Sequence, residues 1–441
     1  MNFIVILITK IISRITGLLG GGTSLPGEIA LKLSPGILKT LSSGYRVVLV
    51  TGTNGKTTTC AMLTGILRQS GATVAANSSG ANMTAGIVSC LASHHRFFKK
   101  MENPYAVLEV DEAYARHITA QISPEIICVT NIFRDQLDRY GEVETTLDFI
   151  KKACENAPSA TLVLNADESM LADLCPQNKR VFYGFTAPLT GGGEVNAEGK
   201  FCKNCGVPYS YEFVTFNHLG NYKCPSCGHA RPEIDIGIDK IFEISAQLSR
   251  VSINGREITI MQPGAYNIYN ALCAAAAAKT LGVSSENISE GIRGQKSKFG
   301  RQETVMIGDT ELRIILVKNP AGCNEAINSI LPDEGDITLG VLLSDSFADG
   351  TDVSWIYDVH FEQLIQQNIK KVLVGGSRCY DMAIRLKVSG LPLPFVYEDY
   401  DGFLNEIKTA SGRVYLLATY TEMVSFRRYL HKKKYIRELW G

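Results

Sequence analysis

The stretch VVLVTGTNGKTTTC, residues 47–60, changes character twice. Its first four residues are apolar and mostly β-branched, which predicts a buried strand. Gly52 and Gly55 then allow a tight turn whose backbone N–H groups can approach an anion. From Lys56 onward the residues suit a helix, and the positive end of the helix dipole lies at the same turn. The stretch therefore predicts a strand, a phosphate-binding loop and a helix, which together point to a parallel-sheet α/β fold.

This loop contains the residues that nucleotide chemistry requires. The Lys56 ammonium group can reach the terminal phosphates, and the Thr57 hydroxyl can be a ligand of Mg²⁺. The spacing departs from the usual phosphate loop, whose first glycine would fall at Val50 instead of Gly52. An ordinary strand-to-helix turn is the alternative. We predict nucleotide binding by Gly52, Thr53, Asn54, Gly55, Lys56, Thr57 and Thr58, with Lys56 also acting in catalysis.

The composition of the whole chain limits the function classes. At 441 residues the chain is too long for one ordinary core, so we expect two or three domains. Its 44 basic and 44 acidic residues cancel, which gives no support for nucleic acid as a partner. Most of its twelve cysteines are scattered singly in apolar surroundings, as in a reduced cytoplasmic protein.

The N-terminal stretch, residues 1–22, is apolar with helical spacing. Lys10 and Arg14 interrupt it, so no uncharged span reaches the ~18 residues that a membrane helix needs. We predict an amphipathic helix within an N-terminal lead-in of residues 1–45. Its apolar side either packs on the protein or contacts a membrane surface, and packing is the simpler interpretation.

Four cysteines differ from the rest in their spacing. Cys202 and Cys205 form one C-x-x-C pair, and Cys224 and Cys227 form another after eighteen intervening residues. Four thiolates in this pattern suit tetrahedral Zn²⁺, and a site with all four positions filled by protein is structural. A redox dithiol would need only one pair. We predict a zinc ribbon inserted at about residues 198–232, where the few basic residues argue against nucleic-acid binding.

The compact form GTNGKTTT, residues 52–59, resembles the Mur ligase and folylpolyglutamate synthetase family. Those enzymes form amides with ATP and activate a carboxylate as an acyl phosphate. The resemblance implies ATP and Mg²⁺ as cofactors. It also implies an α/β fold with a Mur-ligase-like central parallel-sheet ATPase domain at residues 46–303, which carries the zinc ribbon, and a smaller C-terminal α/β domain at residues 304–441.

Three further positions acquire roles from this resemblance. Glu109, at the end of the predicted strand YAVLEV, corresponds to a second Mg²⁺ ligand of the family, and a solvated acid at a strand end is the alternative. Gln136 stands where the family has a histidine that helps to hold a second metal ion. Lys151 lies near the carbamylated lysine of several Mur ligases, although a solvated helix face is the simpler interpretation.

The segment GAYNIYNAL, residues 264–272, resembles the family's G-x-H-N-x-x-N-A-L, with Tyr266 in place of the histidine. This implies that Asn267 and Asn270 neighbour the adenine. A helix cap followed by a buried face of small residues is a compatible interpretation. The segment FGRQE, residues 299–303, resembles the family's hinge into the last domain and implies a contact between Arg301 and a nucleotide phosphate.

An acidic stretch, DSFADGTDVSWIYD at residues 345–358, resembles the synthetase subunits of lipid II isoglutaminyl synthase, a branch of the family. Those enzymes amidate the α-carboxylate of D-isoglutamate in the lipid II stem peptide, with ammonia from a GatD-type glutaminase. In that branch an aspartate of this loop completes the partner's Cys-His pair into a triad. We assign this role to Asp349 first and Asp352 second, and an acidic Mg²⁺ or turn loop is the alternative.

These features predict an ATP-dependent ligase that phosphorylates a carboxylate and lets ammonia displace the phosphate, with Mg²⁺ and Lys56 neutralising charge. No Cys-His pair for glutamine hydrolysis is evident, so we infer a glutaminase partner in a heterodimer. With lipid II as substrate, the chain is expected in the cytoplasm at the inner face of the membrane. The rivals are a self-contained ligase that adds an amino acid and a non-catalytic nucleotide-binding scaffold.

Overall fold

The computed structural model describes residues 2–18, 24–77, 80–97, 102–133, 143–189, 199–245, 248–262, 264–295, 301–347 and 349–436. Described residues up to Gln295 form one compact unit, and those from Arg301 onward form a second. The finer division into a lead-in and a central domain stays a prediction. None of the described helices combines the length and the apolar character needed to cross a membrane.

The first unit is built on a nine-stranded sheet. Its strands, together with a separate hairpin of β7 and β8, are β1 (Arg46–Thr51), β2 (Thr73–Ala76), β3 (Pro104–Glu109), β4 (Ile126–Val129), β5 (Thr161–Asn165), β6 (Arg180–Phe185), β7 (Ser210–Phe216), β8 (Leu219–Lys223), β9 (Ile236–Ile244), β10 (Ser249–Ile253) and β11 (Arg256–Ile260). The order in the sheet is β11-β10-β9-β6-β5-β4-β1-β3-β2. All neighbours from β2 to β9 are parallel, while β10 and β11 are antiparallel additions at one edge.

The helices of this unit come before, between and after its strands. They are α1 (Asn2–Leu18), α2 (Leu25–Leu33), α3 (Ile37–Ser42), α4 (Lys56–Gln69), α5 (Thr84–His94), α6 (Glu112–Thr119), α7 (Val143–Glu155), α8 (Ala265–Thr280) and α9 (Ser285–Arg293). In β1, β3 and β4 nearly every side chain is buried, because helices cover both faces of a parallel sheet. The alanine-rich α8 buries most of its length, since small side chains let its backbone come close to its neighbours.

The strand order reverses at β1. Strands β2 and β3 lie on one side of β1, whereas β4, β5 and β6 continue on the other. In open α/β sheets ligands bind outside the carboxyl ends of the strands at such a reversal. The phosphate loop predicted from residues 47–60 begins at this end of β1, so the topology and the sequence indicate the same place.

The second unit is a smaller α/β domain. Its strands are β12 (Arg301–Ile307), β13 (Thr310–Leu316), β14 (Ile337–Leu342), β15 (Ile369–Gly375), β16 (Phe395–Val396) and β17 (Arg413–Ala418), and its helices are α10 (Pro320–Ile330), α11 (Cys379–Val388), α12 (Tyr400–Lys408) and α13 (Tyr420–Lys432). The order is β12-β13-β17-β14-β15-β16, parallel except for β12. Two parallel-sheet units, the second smaller, agree with the predicted fold class.

Candidate active site

The phosphate loop turns sharply between β1 and α4. Gly52 and Gly55 have φ values of +116° and +86°, the region that favours glycine. A Cβ on Gly52 would lie 2.4 Å from the Thr130 hydroxyl oxygen, and one on Gly55 would lie 2.0 Å from Asn270 Oδ1. Both glycines are therefore required for conformation and for space. The first N–H groups of α4 lack intrahelical acceptors, so this turn can receive an anion.

Residues that follow β4 hold the loop in shape. Asn131 accepts the Thr53 N–H with its backbone oxygen and the Asn54 N–H with its Oδ1, both at 2.9 Å. The Thr53 hydroxyl accepts the Phe133 N–H at 3.0 Å and donates to the Phe133 oxygen at 3.2 Å. From the sequence, only Gln136 was singled out in the segment after β4, for its metal-binding counterpart in the family. The bracing by Asn131 was missed, although a polar pair directly after a buried strand was a usable signal.

Lys56 folds back over the loop and pairs with an acid. Its Nζ donates to the Gly52 oxygen at 2.7 Å and to Glu112 Oε1 at 2.8 Å. Burial lowers the pKa of Lys56, but the charges of Glu112, Glu109 and Asp111 outweigh it and raise the pKa above its ordinary value. Lys56 is therefore a cation throughout the neutral range. Glu112 was not singled out from the sequence.

The predicted Mg²⁺ ligands are Glu109 and Thr57, the residue that follows Lys56 in the chain. Glu109 ends β3 in a buried position, and its backbone N–H and oxygen both bond to the side chain of Asn77 at 2.9 Å. Thr57 lies half-buried in the first turn of α4. A carboxylate and a hydroxyl at the edge of a phosphate loop are oxygen ligands that Mg²⁺ prefers, completed in such sites by nucleotide phosphates and water.

The two asparagines of α8 lie against the start of α4. Asn270 Nδ2 donates to Asn267 Oδ1 at 3.1 Å, and Asn270 Oδ1 accepts the Thr59 hydroxyl at 3.4 Å. Both side chains are buried. The structure therefore brings Asn267 and Asn270 to the phosphate loop, and the adenine contact that the resemblance implies stays a prediction.

The four spaced cysteines converge. Cys202 Sγ and Cys227 Sγ are 3.6 Å apart, Cys205 Sγ and Cys224 Sγ are 3.5 Å apart, and all four lie within 4.8 Å of one another. A disulfide would need ~2.05 Å. Four thiolates around a tetrahedral Zn²⁺ at ~2.3 Å would lie ~3.8 Å from one another, so the cluster fits that ion. Among the described residues, no other group of histidines, cysteines and acids converges in this way.

Local backbone geometry explains why the cysteines meet. Gly206 and Gly228 follow the two pairs with φ values of +73° and +78°, which closes each pair into a knuckle. Burial raises the pKa of the Cys202 thiol, but hydrogen bonds from the Asn204 N–H and from Tyr209 outweigh it and lower the pKa to about 6. The chain therefore favours a thiolate at Cys202 before any metal binds.

Two carboxylates directly after β5, one in an ion pair and one bonded to a histidine, hold the ribbon. Asp167 accepts Arg231 Nη1 at 2.8 Å and the Tyr269 hydroxyl at 2.7 Å. Glu168 Oε2 lies 2.8 Å from His218 Nε2 in the β7–β8 hairpin, and both side chains are at most 2% exposed. No pattern in the sequence had indicated the contact between His218 and Glu168.

Glu168 also connects the ribbon to the phosphate loop. Its Oε2 accepts the Ile132 N–H at 3.2 Å, and the next residue, Phe133, is the one that bonds Thr53. The Phe133 ring packs against His218 with 4.7 Å between the ring centroids. A continuous set of contacts therefore runs from the hairpin of the ribbon through Glu168 and Phe133 to Thr53.

The acidic loop of the second unit follows β14. Asp349 is 4% exposed, and its two carboxylate oxygens accept the Thr421 N–H at 3.1 and 3.2 Å, at the start of α13. Carboxylates are favoured at helix N-termini. Asp352, by contrast, is exposed and accepts the Ser354 N–H at 2.8 Å. The structure thus separates the two candidate aspartates, one held in place and one on the surface.

Of three other residues singled out from the sequence, only Lys151 is described together with its side chain. Gln136 lies outside the described residues. Arg301 begins β12, and its side chain is likewise not described. Lys151 is exposed on α7, and its carbamylation stays a prediction that mass analysis under CO₂ would decide.

Comparison with known families places this architecture in a class. A phosphate loop at the reversal of a parallel sheet, followed by a smaller α/β domain, is the arrangement of an ATP-dependent ligase of the Mur type. The Mur ligase middle domain model matches residues 50–278, and the MurT ligase C-terminal model matches residues 316–423. The chain belongs to the Mur ligase family, and the resemblance read from GTNGKTTT is confirmed.

Within the family the relationship is narrower. The chain is 40% identical over 425 residues to lipid II isoglutaminyl synthase (glutamine-hydrolyzing) subunit MurT of Streptococcus pneumoniae. The aligned region covers 95% of each chain. It is 33% identical to the subunit of the same name from Staphylococcus aureus, over 87% of this chain and 89% of that one. These identities make it a member of the MurT group.

Solved structures support the fold alone. A pseudomurein peptide ligase type C from Methanothermus fervidus has a TM-score of 0.67 at 22% identity, over 88% of this chain and 79% of that one. MurF from Acinetobacter baumannii has a TM-score of 0.65 at 17% identity, over 92% of this chain and 80% of that one. The predicted Mur-ligase-like fold class is confirmed.

Proposed function

We propose that this chain is the ATP-dependent synthetase subunit of a glutamine-hydrolysing lipid II isoglutaminyl synthase. In this proposal it converts the α-carboxylate of D-isoglutamate in the lipid II stem peptide to the carboxamide of D-isoglutamine. The observation that carries the proposal is 40% identity along 95% of both chains to a protein of that name. The phosphate loop with Lys56 supplies the chemical basis, since amide formation from a carboxylate needs an activating phosphoryl transfer.

The reaction has two balanced steps. A carboxylate oxygen attacks the γ-phosphorus of ATP, the bond to ADP breaks, and an acyl phosphate forms. Ammonia then attacks the acyl carbon, phosphate leaves with the bonding electrons, and the nitrogen loses a proton to give the amide. In the first step Lys56 neutralises charge that gathers on the phosphoryl oxygens, and the N–H groups of the loop at Gly55 bind them.

The cofactors are ATP, Mg²⁺ and a structural zinc ion. Mg²⁺ supplies charge neutralisation between the phosphates, and Thr57 and Glu109 would hold it. Asn267 and Asn270 are further nucleotide-binding residues in this proposal, and the contact of Arg301 with a nucleotide phosphate is proposed from the resemblance alone. Zinc would be held by Cys202, Cys205, Cys224 and Cys227, whose spacing fits a closed tetrahedral site.

A GatD-type glutaminase subunit supplies the ammonia in this proposal. Asp349 would orient the partner's catalytic histidine, as the resemblance of residues 345–358 implies. Support comes from its position, since a carboxylate fixed by the Thr421 N–H keeps lone pairs for a second donor. We place the complex in the cytoplasm at the inner face of the membrane, where a lipid-linked substrate is met.

Reconstitution with candidate glutaminases tests the function. The purified chain and partner should amidate lipid II with ATP and glutamine, detected by mass spectrometry of the released stem peptide, and Lys56→Ala should lower the rate by about 10³-fold or more. Activity with an amino acid but not with ammonium would favour a self-contained ligase instead. Full activity of Lys56→Ala would favour a non-catalytic scaffold.

A further inference from the structure

Helix α1 exposes an apolar stripe in addition to the face that it buries. Val5, Ile6 and Thr9 pack inward and are at most 5% exposed. The stripe on the outside consists of Phe3 (53% exposed), Ile4 (61%), Leu7 (43%), Ile11 (50%) and Ile15 (51%). A surface helix ordinarily turns charged and polar residues to water. An apolar outer face of this length marks a surface that contacts something else.

A cluster of cations borders the stripe. The Lys10 Nζ lies 5.4 Å from the centroid of the Phe97 ring, and that ring lies 4.5 Å from the ring of Phe3. The Lys10 Nζ also donates to the His95 oxygen at 2.5 Å, next to Arg96 in the chain, and Arg14 lies one turn further along α1, so the three cations are neighbours. Burial lowers the pKa of Lys10, and the charges of Arg14 and Arg96 lower it further. Helix α1 contains no acidic residue.

The charges and the length of α1 limit what can cover the stripe. In a two-fold dimer through α1, the same three cations would approach their own copies, and like charges placed together oppose association. Lys10 and Arg14 interrupt α1, and no helix among the described residues is long and apolar enough to span a bilayer. An anionic lipid surface satisfies both features, with acyl chains for the stripe and phosphates for the cations.

We propose that α1 lies in the interfacial plane of an anionic phospholipid bilayer, with Phe3, Ile4, Leu7, Ile11 and Ile15 inserted and with Lys10, Arg14 and Arg96 at the headgroups. Membrane binding by α1 deepens the proposed function and rests on it, because the proposed substrate is linked to a lipid and is reached at such a surface. The simpler expectation, that the apolar side of α1 only packs on the protein, accounts for the face with Val5 and Ile6 but not for the stripe.

The test is sedimentation of the full-length protein with phosphatidylcholine vesicles that contain or lack phosphatidylglycerol. Binding should require the anionic lipid and weaken with added salt. The double substitution Ile4→Asp with Ile11→Asp should reduce the bound fraction by about tenfold. The matched control is Ile384→Asp with Val388→Asp, which alters exposed apolar residues on α11 and should leave binding unchanged.

Two further measurements keep the outcomes separate. Circular dichroism melting identifies variants that have lost the fold. Arg14→Ser with Arg96→Ser is a milder change, which should reduce binding to vesicles that contain phosphatidylglycerol. Because no ATP or lipid II is present, vesicle binding does not depend on the proposed reaction. Equal binding by the α1 and α11 variants would overturn the inference, as would a concentration-dependent dimer in lipid-free buffer that Ile4→Asp with Ile11→Asp dissociates.

Discussion

At the scale of single residues, Lys56 is paired with protein acceptors in the loop where phosphates are proposed to bind. Its ammonium group is held by the Gly52 oxygen and by Glu112, so it lies over the loop that would receive phosphates. In the proposed function, phosphate oxygens would replace these acceptors when a nucleotide binds. Glu112 would then be the residue that keeps Lys56 charged and folded over the loop before ATP binds.

Substitution of Glu112 tests this role through stability. Glu112→Gln removes the ion pair and should lower the free energy of unfolding by about 1–3 kcal/mol near neutral pH. Because the folded pKa of Lys56 is raised, the stabilisation is complete below the unfolded lysine pKa of about 10.4 and is lost as pH rises through the folded value. Urea denaturation of both proteins should show a difference that narrows at alkaline pH.

The matched control for this measurement is Glu125→Gln. Glu125 pairs with Arg46 at 2.6 Å, but both side chains are 42% exposed, so water screens the pair. Its loss should change stability by less than about 1 kcal/mol. Equal destabilisation by Glu112→Gln and Glu125→Gln would contradict the role given to Glu112.

Gly55 gives a second test at this scale. An alanine there is strained at φ +86° and also meets Asn270 Oδ1 at 2.0 Å, whereas Gly71 has φ +84° with open space around it. Gly71→Ala should cost only the backbone strain of about 1–2 kcal/mol and leave ATP affinity unchanged. Gly55→Ala should also displace Asn270 and weaken ATP binding about tenfold or more by calorimetry. Identical ATP affinities of the two variants would speak against the phosphate loop.

At the scale of elements, the ribbon does more than fill an insertion. The hairpin of β7 and β8 carries His218, which holds Glu168, and Glu168 accepts the N–H of Ile132 next to the brace of the phosphate loop. Metal binding and folding are coupled in small cysteine-ligated modules. Loss of the metal should therefore loosen the phosphate loop through this set of contacts.

Cys227→Ser tests that connection. It should abolish zinc retention, measured by metal analysis, because a closed site needs all four ligands. Amide exchange at Ile132 and Phe133 should then speed up, and the ATP-dependent rate should fall by about fivefold or more. Cys90→Ser alters a cysteine outside the ribbon and should keep zinc, exchange and rate as they were. Unaltered exchange at Ile132 in a zinc-free Cys227→Ser protein would show that the ribbon does not influence the phosphate loop.

At the scale of the whole molecule, local patterns predicted more than distant ones. Some features depend only on residues that are close together in the sequence, and these could be predicted from it. They are the strand, loop and helix of residues 47–60 and the two cysteine pairs. The pairing of Lys56 with Glu112 spans 56 positions, and that of Glu168 with His218 spans 50. Such partners are brought together only by sheet order and helix packing, which no local pattern encodes. For the same reason the sequence left both protein packing and membrane contact open for the apolar side of α1, with packing as the simpler interpretation.

The position of Asp349 allows the two halves of the proposed reaction to be separated. Asp349→Asn keeps the shape and an oxygen to accept the Thr421 N–H, so the loop after β14 should hold its conformation. It removes the charge that would stabilise a partner's histidinium. In the reconstituted complex, glutamine-dependent amidation should fall by about 10²- to 10⁴-fold, while amidation driven by added ammonium should stay within about twofold.

Asp352→Asn is the matched control for that separation. Asp352 is exposed in the same loop and bonds only locally in the described contacts, to the Ser354 N–H, so both activities should remain near those of the unaltered protein. If Asp352→Asn instead loses glutamine-dependent activity, the second candidate takes the triad role. If Asp349→Asn loses ammonium-driven activity as well, the acidic loop serves the synthetase itself, as a Mg²⁺ or folding element, and the partner must contain a complete glutaminase site.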